Sequence, residues 1–336
     1  MDALHHAFDA LHALLESADS VVIAGHEHAD GDAVGAVAAL RRHLELLDKR
    51  VTVLLDEPLN PRYGFMQFRK HYEVYDPALH DELLRSADAF VMCDLSSRAR
   101  LGPLGVPAFE GRATTVCIDH HPCDDGGPAE VNVLDATATA TGELVHRYIT
   151  HVGGNIDRQI AESVFVSLCT DTGWFRYPNT TPDVIQLAAD LAKQRLDLPG
   201  MYRSIYQSNS AAMLRVLGHV ARSMTEECDG RMVWAWVRRD LLDELGVERY
   251  EADPILDVLR SGELVETVAL FTEQSDGRVA VSLRSRGRPD VNGVARAFGG
   301  GGHAFAAGTT LSAATAQEDR RKLVSSLRTA TAEAFA

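Results

Sequence analysis

Short apolar runs alternate with segments of helical periodicity from about residue 20 to residue 170. The runs are VVIA (21–24), VTVLL (51–55), AFVMCD (89–94), TTVCID (114–119) and SVFVSLC (163–169). Runs that are apolar at almost every position are typical of strands buried on both faces, as in a parallel sheet covered by helices. The pattern therefore predicts an α/β fold whose N-terminal domain is a doubly wound, mostly parallel sheet.

The pattern changes after about residue 183. Two segments, VIQLAADLAKQ and AAMLRVLGHVARSM, have helical spacing and predict a helical connector. Strand patterns return at 232–239, 266–273 and 278–285, and Asp276-Gly277 is a strong hairpin signal between the last two. With VNGVARAF and a helix from about residue 315, these strands predict a smaller C-terminal α+β domain. We expect an N-terminal domain at 1–185, a helical linker at 186–228 and a C-terminal domain at 229–336.

Composition narrows the range of functions. The 336 residues carry a formal net charge of −15, which argues against binding long nucleic acid over a broad basic surface. A short anionic ligand held by a few local cations is compatible with that charge. Five cysteines without a CxxC pair favour a reducing, cytoplasmic location. The chain shows no signal-peptide pattern and no apolar run long enough to cross a bilayer, so we expect no membrane association.

Acidic and histidine side chains follow four of the apolar runs. The carboxyl ends of the strands in an open parallel sheet face one crevice, so we expect these side chains to meet there. A cluster of acids without compensating charge would be destabilising or would take up protons, and divalent cations remove that cost. Oxygen and imidazole donors without thiolate suit Mn²⁺ or Mg²⁺. The residues are His26, Asp30, Asp32, Asp94, Asp119, His120, His121 and Asp171.

Each of these residues also has an ordinary structural explanation. Asp30 or Asp32 could be a helix N-cap, and Asp94 could begin an Asx turn. The pair His120-His121 could simply be packed or solvated. Because the acids recur at the ends of four of the five runs, separate explanations for each residue are jointly weaker than a shared metal centre.

The motifs around these residues resemble those of a known family. HEHADGD, CDLSSR, IDHHP and TDTGWF, in this order, resemble the four motifs of the DHH phosphoesterases, named for the triplet Asp119-His120-His121. VSLRSRG and FGGGGHAFAAG resemble the C-terminal domain that accompanies them. The resemblance extends from about residue 20 to residue 310. It points to the nanoRNase/pAp-phosphatase group and to the soluble cyclic-di-AMP and pApA phosphodiesterases of bacteria.

The resemblance implies a binuclear centre with two Mn²⁺ per chain, for which Mg²⁺ or other divalent ions could substitute. It implies catalytic roles for two further residues: Asp119 would orient an imidazole from outside the ligand set, and His121 would face the phosphate. The implied metal ligands are His26 and Asp30 for one ion, Asp32, His120 and Asp171 for the other, and Asp94 as the bridge between them.

The resemblance also implies an activity. We expect a hydrolase that releases nucleoside monophosphates from short substrates by hydroxide attack assisted by two metal ions. The expected substrates are nanoRNA of two to five nucleotides, pApA, cyclic-di-AMP and 3'-phosphoadenosine 5'-phosphate (pAp), and the relatives imply a homodimer. The alternatives are a manganese-dependent inorganic pyrophosphatase or exopolyphosphatase, and a non-catalytic nucleotide-binding module. The GGGGH segment argues against a pyrophosphatase, and the complete ligand set argues against a non-catalytic module.

Two features of the C-terminal domain predict contacts with substrate. Arg284, Arg286 and Arg288 alternate, so they would share one face if the strand continues that far. The glycines at 299–302 precede His303 and could let backbone N–H groups converge on an anion, as in a phosphate nest. Such a basic, glycine-rich lobe opposite an acidic metal lobe would favour short substrates. The predicted contacts are Arg284, Arg286, Gly301, Gly302 and His303.

Overall fold

The computed structural model describes residues 2–95, 97–123, 126–247 and 254–336. The chain folds as two compact units, one ending at Ile205 and the other beginning at Tyr206. The predicted fold class is confirmed, because the first unit contains a parallel sheet and the second a separate mixed sheet. The division into 1–185, 186–228 and 229–336 stays a prediction. None of the described helices combines the length and the apolar character that a membrane span requires.

The N-terminal unit is built around one six-stranded sheet. Its strands are β1 (Ser20–Ala24), β2 (Arg50–Leu55), β3 (Glu73–Val74), β4 (Ala89–Cys93), β5 (Thr114–Asp119) and β6 (Val131–Leu134). Its helices are α1 (Asp2–Ser17), α2 (Gly31–Leu46), α3 (Pro77–Ser86), α4 (Gly105–Glu110), α5 (Thr141–His151), α6 (Arg158–Asp171), α7 (Pro182–Ala192) and α8 (Leu198–Tyr206). The strand order is β3-β2-β1-β4-β5-β6, and all neighbouring pairs are parallel.

The sequence pattern identified β1, β2, β4 and β5 because each is a continuous apolar run. The outer strands β3 and β6 were not predicted. Both are short, and most of their residues are partly or fully exposed, so they lack such a run. They extend the sheet at its two edges without changing where its central strands end.

The run at 163–169 is not a strand, and the prediction for it was wrong. It lies inside the helix α6, which begins after its N-cap Asp157. The helix packs so closely on α2 that a Cβ added to Gly35 would lie 2.8 Å from Cβ of Ser167. The sequence of a helix that is buried on nearly all sides is a continuous apolar run, and periodicity alone does not distinguish it from a buried strand.

The strand order places a topological switch point between β1 and β4. These two strands are adjacent, and the chain adds β2 and β3 on one side and β5 and β6 on the other. In open α/β sheets, ligands bind at the carboxyl ends of the strands at such a point. The segments that follow β1, β4 and β5 all begin at this edge of the sheet.

The C-terminal unit is a second six-stranded sheet with helices on both faces. Its elements are α9 (Ala211–Ser223), β7 (Thr225–Glu227), β8 (Met232–Val237), α10 (Arg239–Leu245), α11 (Pro254–Arg260), β9 (Thr267–Glu273), β10 (Val279–Ser285), α12 (Val291–Ala297), β11 (Gly301–His303), β12 (Ala306–Leu311) and α13 (Ala316–Ala334). The strand order is β11-β12-β10-β9-β8-β7, and only β8 and β9 pair in parallel. The predicted hairpin is confirmed as β9 and β10, with Gly277 at a φ of 81° in its turn. Helices α9 and α11 cover one face, and α12 and α13 cover the other.

Candidate metal centre

Two groups of potential ligands meet at the carboxyl ends of β1, β4 and β5. Within each group, one atom of every side chain lies within 4.8 Å of the others. Asp94 lies between the groups: its Oδ2 is 3.5 Å from Nε2 of His26, and its Oδ1 is 3.7 Å from Nε2 of His120. All six residues predicted as ligands are therefore brought together. The groups are His26 with Asp30 and Asp94, and Asp32 with His120 and Asp171.

Both histidines are held by main-chain carbonyl groups. Nδ1 of His26 lies 2.7 Å from the oxygen of Glu27, and Nδ1 of His120 lies 3.2 Å from the oxygen of Ala138. A carbonyl oxygen only accepts, so each Nδ1 carries a proton and donates it. The Nε2 atoms consequently face the carboxylates, and that of His120 is 3.0 Å from Oδ2 of Asp171. This arrangement is typical of metal-binding histidines.

Asp32 lies in the first turn of α2 and has no exposed surface. Its Oδ1 accepts hydrogen bonds from the hydroxyl of Ser167 (2.5 Å) and N–H of Gly142 (3.0 Å), and its Oδ2 accepts one from N–H of Thr141 (2.7 Å). The two N–H groups belong to the first turn of α5, whose own N-cap residue, Ala140, makes no side-chain cap. The carboxylate of Asp32 therefore caps α5 from a different helix, which fixes its orientation.

Asp30 and Asp94 are held in other ways. Asp30 is the N-cap of α2, where its Oδ1 accepts from N–H of Asp32 (2.9 Å) and of Ala33 (3.2 Å). A capping role and a ligand role are compatible, because Asp30 also lies 3.9 Å from Nε2 of His26. Asp94 follows β4 with a φ of 65°, in the left-handed region that usually favours glycine. Strained residues of this kind concentrate at functional sites.

Asp119 contacts the second histidine of the DHH triplet. It has no exposed surface, and its Oδ1 lies 2.7 Å from Nδ1 of His121 and accepts the N–H of the same residue at 3.2 Å. Nδ1 of His121 is also 3.5 Å from Oδ1 of Asp94. The imidazole that Asp119 could orient is thus that of His121. The catalytic roles of the two residues stay predictions.

The charges of the site are unbalanced. Among the described residues, its carboxylates have only histidines as ion-pair partners within 4.0 Å. Burial lowers the pKa of His26, but Asp30 and Asp94 outweigh it and raise that pKa to about 10. The pKa of His120 rises in the same way to about 11, and burial raises the pKa of Asp171 to about 6. These raised pKa values favour protonated side chains in the absence of a cation, and the oxygen and imidazole donors of the cluster fit Mn²⁺ or Mg²⁺.

Arg284, Arg286 and Arg288 do not share one face of a strand, contrary to the arrangement that their spacing suggested. Strand β10 ends before Arg286, so the alternation does not continue as a strand to Arg288. Arg286 donates to three backbone carbonyls in the segment 260–263, at 2.7, 3.0 and 3.3 Å. Arg288 lies over the ring of Phe335 at 4.6 Å, and Arg284 donates to a neighbouring carbonyl at 3.0 Å. Substrate binding by Arg284 and Arg286 stays a prediction.

The glycine segment joins α12 to the edge strand β11, and Gly301 and Gly302 belong to that strand. The N–H groups of Gly299 and Gly300 donate to carbonyls in the last turn of α12, at 3.1 and 3.0 Å, so they do not converge on an anion. Gly302 has a φ of 138°, and a Cβ there would lie 2.5 Å from a backbone oxygen of β12. Glycine is therefore required at this position for the pairing of β11 with β12. The predicted substrate contacts of this segment stay predictions.

Three residues that hold the carboxylates were not predicted from the sequence. Thr141, Gly142 and Ser167 donate to Asp32, and Thr141 also donates to Asp94. The run of small residues ATATATG before an apolar, helix-like segment indicates a helix start. It does not indicate which carboxylate accepts hydrogen bonds from the N–H groups of the first turn.

Sequence comparison assigns both units. The model of the DHH family, N-terminal domain, matches residues 20–168, and that of the DHHA1 domain matches residues 229–332. A Thermus thermophilus protein named bifunctional oligoribonuclease and PAP phosphatase NrnA is 32% identical over 292 residues, which are 87% of this chain and 84% of that protein. The chain belongs to the DHH phosphoesterase family. It is therefore a hydrolase that acts on phosphoester bonds, as the motifs predicted.

Other proteins resemble this DHH phosphoesterase over most of its length. A Bacillus subtilis protein of the same name is 23% identical over 298 residues, covering 87% of this chain and 90% of its own. Among solved structures, an exopolyphosphatase-related protein from Bacteroides fragilis superposes with a TM-score of 0.88 at 24% identity, covering 97% of each chain. Thermus thermophilus RecJ in complex with Mn²⁺ gives a TM-score of 0.56 at 15% identity, covering 95% of this chain and 54% of RecJ. These two likenesses concern the fold.

Proposed function

We propose that this DHH phosphoesterase hydrolyses short nucleotide substrates with the aid of two divalent cations, Mn²⁺ foremost. The observation that carries the proposal is the position of Asp94. Its two oxygens face the Nε2 atoms of His26 and His120, and each of these histidines lies beside a further aspartate. One carboxylate that spans two such groups is what a binuclear centre requires.

The proposed ligands follow the two groups. His26 and Asp30 would hold one ion, Asp32, His120 and Asp171 the other, and Asp94 both. Bound divalent ions supply positive charge that polarises phosphoryl oxygens and lowers the pKa of water.

The protein's own contribution beyond the ligands would come from the remaining histidine of the triplet. Nδ1–H of His121 would donate to Asp119, which fixes the ring, and Nε2–H of the imidazolium form would donate to a substrate phosphate. Burial lowers the pKa of His121, but Asp119 and Asp94 outweigh it and raise that pKa, which favours the imidazolium form.

The proposed substrates are nanoRNA of a few nucleotides, pApA and pAp, with cyclic-di-AMP as a further candidate. Two relatives that match most of this chain carry names containing oligoribonuclease and PAP phosphatase. The net charge of −15 opposes binding of long nucleic acid, whereas short substrates bring few phosphates to repel. A homodimer and a cytoplasmic location are part of the same proposal.

One assay tests the proposal directly. Purified protein with Mn²⁺ is incubated in parallel with short RNA, pApA, cyclic-di-AMP, pAp and inorganic pyrophosphate, and the products are separated by chromatography. We expect nucleoside monophosphates from the nucleotide substrates and loss of turnover on chelation. Hydrolysis of pyrophosphate alone would instead identify a pyrophosphatase, and metal binding without turnover on any substrate would identify a binding module.

His303 provides a test of the proposed substrate contacts. The variant His303→Ala is expected to raise KM for di- and trinucleotides more than it alters hydrolysis of a small artificial phosphodiester, which lacks the remote groups that His303 would bind. A matched control is His219→Ala, which removes an exposed histidine of α9. Equal losses on both substrates, or an equal effect of the control, would count against the contact.

Mn²⁺ binding is expected to release protons. The pKa of His26 is raised to about 10 and that of His120 to about 11, so both imidazoles carry an extra proton in the metal-free chain near neutral pH. Burial also raises the pKa of Asp32, and ligand imidazoles must be neutral and ligand carboxylates ionised, so we expect the release of at least about two protons per chain and an affinity that rises with pH. Calorimetric titration in two buffers of different ionisation enthalpy measures the number. Binding that releases no protons would contradict the assignment of these two histidines.

A further inference from the structure

One residue in the first turn of α5, Thr141, donates hydrogen bonds to two carboxylates of the proposed metal centre. Thr141 donates its main-chain N–H to Oδ2 of Asp32 at 2.7 Å and its hydroxyl to Oδ1 of Asp94 at 3.0 Å. It has no exposed surface. The same Oδ1 of Asp94 lies 3.7 Å from Nε2 of His120. The hydroxyl therefore meets the central carboxylate on the oxygen that faces the second group of ligands.

This contact distinguishes the two oxygens of Asp94. The carboxylate serves both groups only when its plane is turned so that Oδ2 faces His26 and Oδ1 faces His120. Rotation about the bond to the carboxyl carbon is broad and soft, so the side chain does not select this orientation by itself. A donor fixed at the start of a buried helix selects it, because it bonds to one oxygen from one direction.

We propose that Thr141 is a positioning residue for the metal centre. Its hydroxyl orients Asp94 toward both groups of ligands, and its main-chain N–H holds Asp32. The inference rests on the proposed function, because the orientation of Asp94 affects cation binding. Loss of a hydrogen bond that orients a metal ligand typically lowers metal affinity or activity by about 10–100-fold.

The neighbouring Thr139 supplies a matched control. It is also buried, with 5% of its surface exposed, and its hydroxyl donates to the carbonyl of Asn179 at 3.3 Å. Among the described residues, this hydroxyl has no contact with a carboxylate of the metal centre. Valine at either position removes one buried hydroxyl of the same segment, but only at Thr141 does that hydroxyl reach Asp94.

The test compares Thr141→Val, Thr141→Ser and Thr139→Val in the full chain. The dissociation constant for Mn²⁺ is measured from the electron paramagnetic resonance signal of the free ion. We expect Thr141→Val to weaken Mn²⁺ binding by about 10–100-fold. Thr141→Ser keeps the hydroxyl and should restore most of the affinity, while Thr139→Val should bind as the unaltered chain does.

Thermal unfolding separates positioning from a general loss of stability. Both valine variants should lower the Tm of the metal-free protein, and Thr141→Val the more, since its lost hydroxyl bonds to a carboxylate and that of Thr139 to a neutral carbonyl. Added Mn²⁺ should raise Tm by an amount that grows with the logarithm of its concentration divided by Kd, so at a given concentration the increase should be smaller for Thr141→Val alone. With a short RNA at saturating Mn²⁺, we expect a lower kcat and an unchanged KM.

Wild-type Mn²⁺ affinity in Thr141→Val would overturn the inference, and so would the same loss of affinity in Thr139→Val. If Thr141→Val does not fold, Thr141→Ala replaces it, because a smaller side chain fits the same space. A wild-type chain that binds no Mn²⁺ would overturn the proposed function and this inference with it. A wild-type chain that binds Mn²⁺ and hydrolyses short RNA, beside an indistinguishable Thr141→Val, would overturn the inference alone.

Discussion

Replacing Asp94 with asparagine is expected to abolish Mn²⁺-dependent hydrolysis while the fold remains intact. Asparagine has nearly the same size but no charge, and Asp94 is the one proposed ligand shared by both groups. Removing a single fixed electrostatic contact to a transition state costs about 10²–10³-fold in kcat. Loss of the shared carboxylate should therefore lower kcat/KM by at least about 10³-fold.

A matched control for this variant is Asp135→Asn. Asp135 also follows a strand of the same sheet, but its carboxylate accepts from Thr137 and pairs with Arg147 at 3.0 Å instead of facing the metal centre. Turnover of a short RNA and Mn²⁺ binding are measured for both variants, with circular dichroism as the test of folding. Turnover close to that of the unaltered chain in Asp94→Asn would refute the bridging role.

Replacing Gly35 with alanine is expected to destabilise the N-terminal unit. A Cβ there would lie 2.8 Å from Cβ of Ser167 and 2.9 Å from its backbone nitrogen, with the oxygen of Ser163 nearer still. Backbone atoms cannot rotate away, so α2 and α6 would have to separate. Overpacking of this kind costs about 1–3 kcal/mol and exceeds the gain of up to about 1 kcal/mol in helix propensity. Because α6 also carries Asp171, Mn²⁺ binding should weaken in parallel.

Gly218→Ala is the control with the opposite expected sign. Gly218 lies within α9, and a Cβ there would meet no heavy atom within 4 Å among the described residues. Alanine should stabilise that helix by up to about 1 kcal/mol. For a domain of about 150–250 residues, each kcal/mol shifts Tm by about 2–4 °C, so scanning calorimetry resolves both changes. A Gly35→Ala protein as stable as the unaltered chain would contradict this prediction, because it would show that α2 and α6 can separate without loss of stability.

Local sequence pattern predicted the strands that are buried along nearly their whole length. The strands β1, β4 and β5 have continuous apolar runs, and each ends at or just before its acids and histidines. Their site residues were predictable because adjacent parallel strands bring their carboxyl ends together. Asp171 was placed correctly near the site for a wrong reason. It ends the helix α6, and the contact of that helix with α2 carries it to His120.

Local sequence pattern was enough to predict which acids and histidines the fold brings together. All of them except Asp171 lie at or after the carboxyl ends of strands of the parallel sheet, and Asp171 ends the helix α6. How those side chains are held depends on contacts between elements that are far apart in the chain. Asp32 accepts from the start of α5, 109 residues further along the chain, and from Ser167, 135 residues further along. The predicted ligands can be identified from local sequence because they lie next to a strand in the chain. Ligand orientation depends on helices packed across the sheet, whose contacts leave no periodic trace in the sequence.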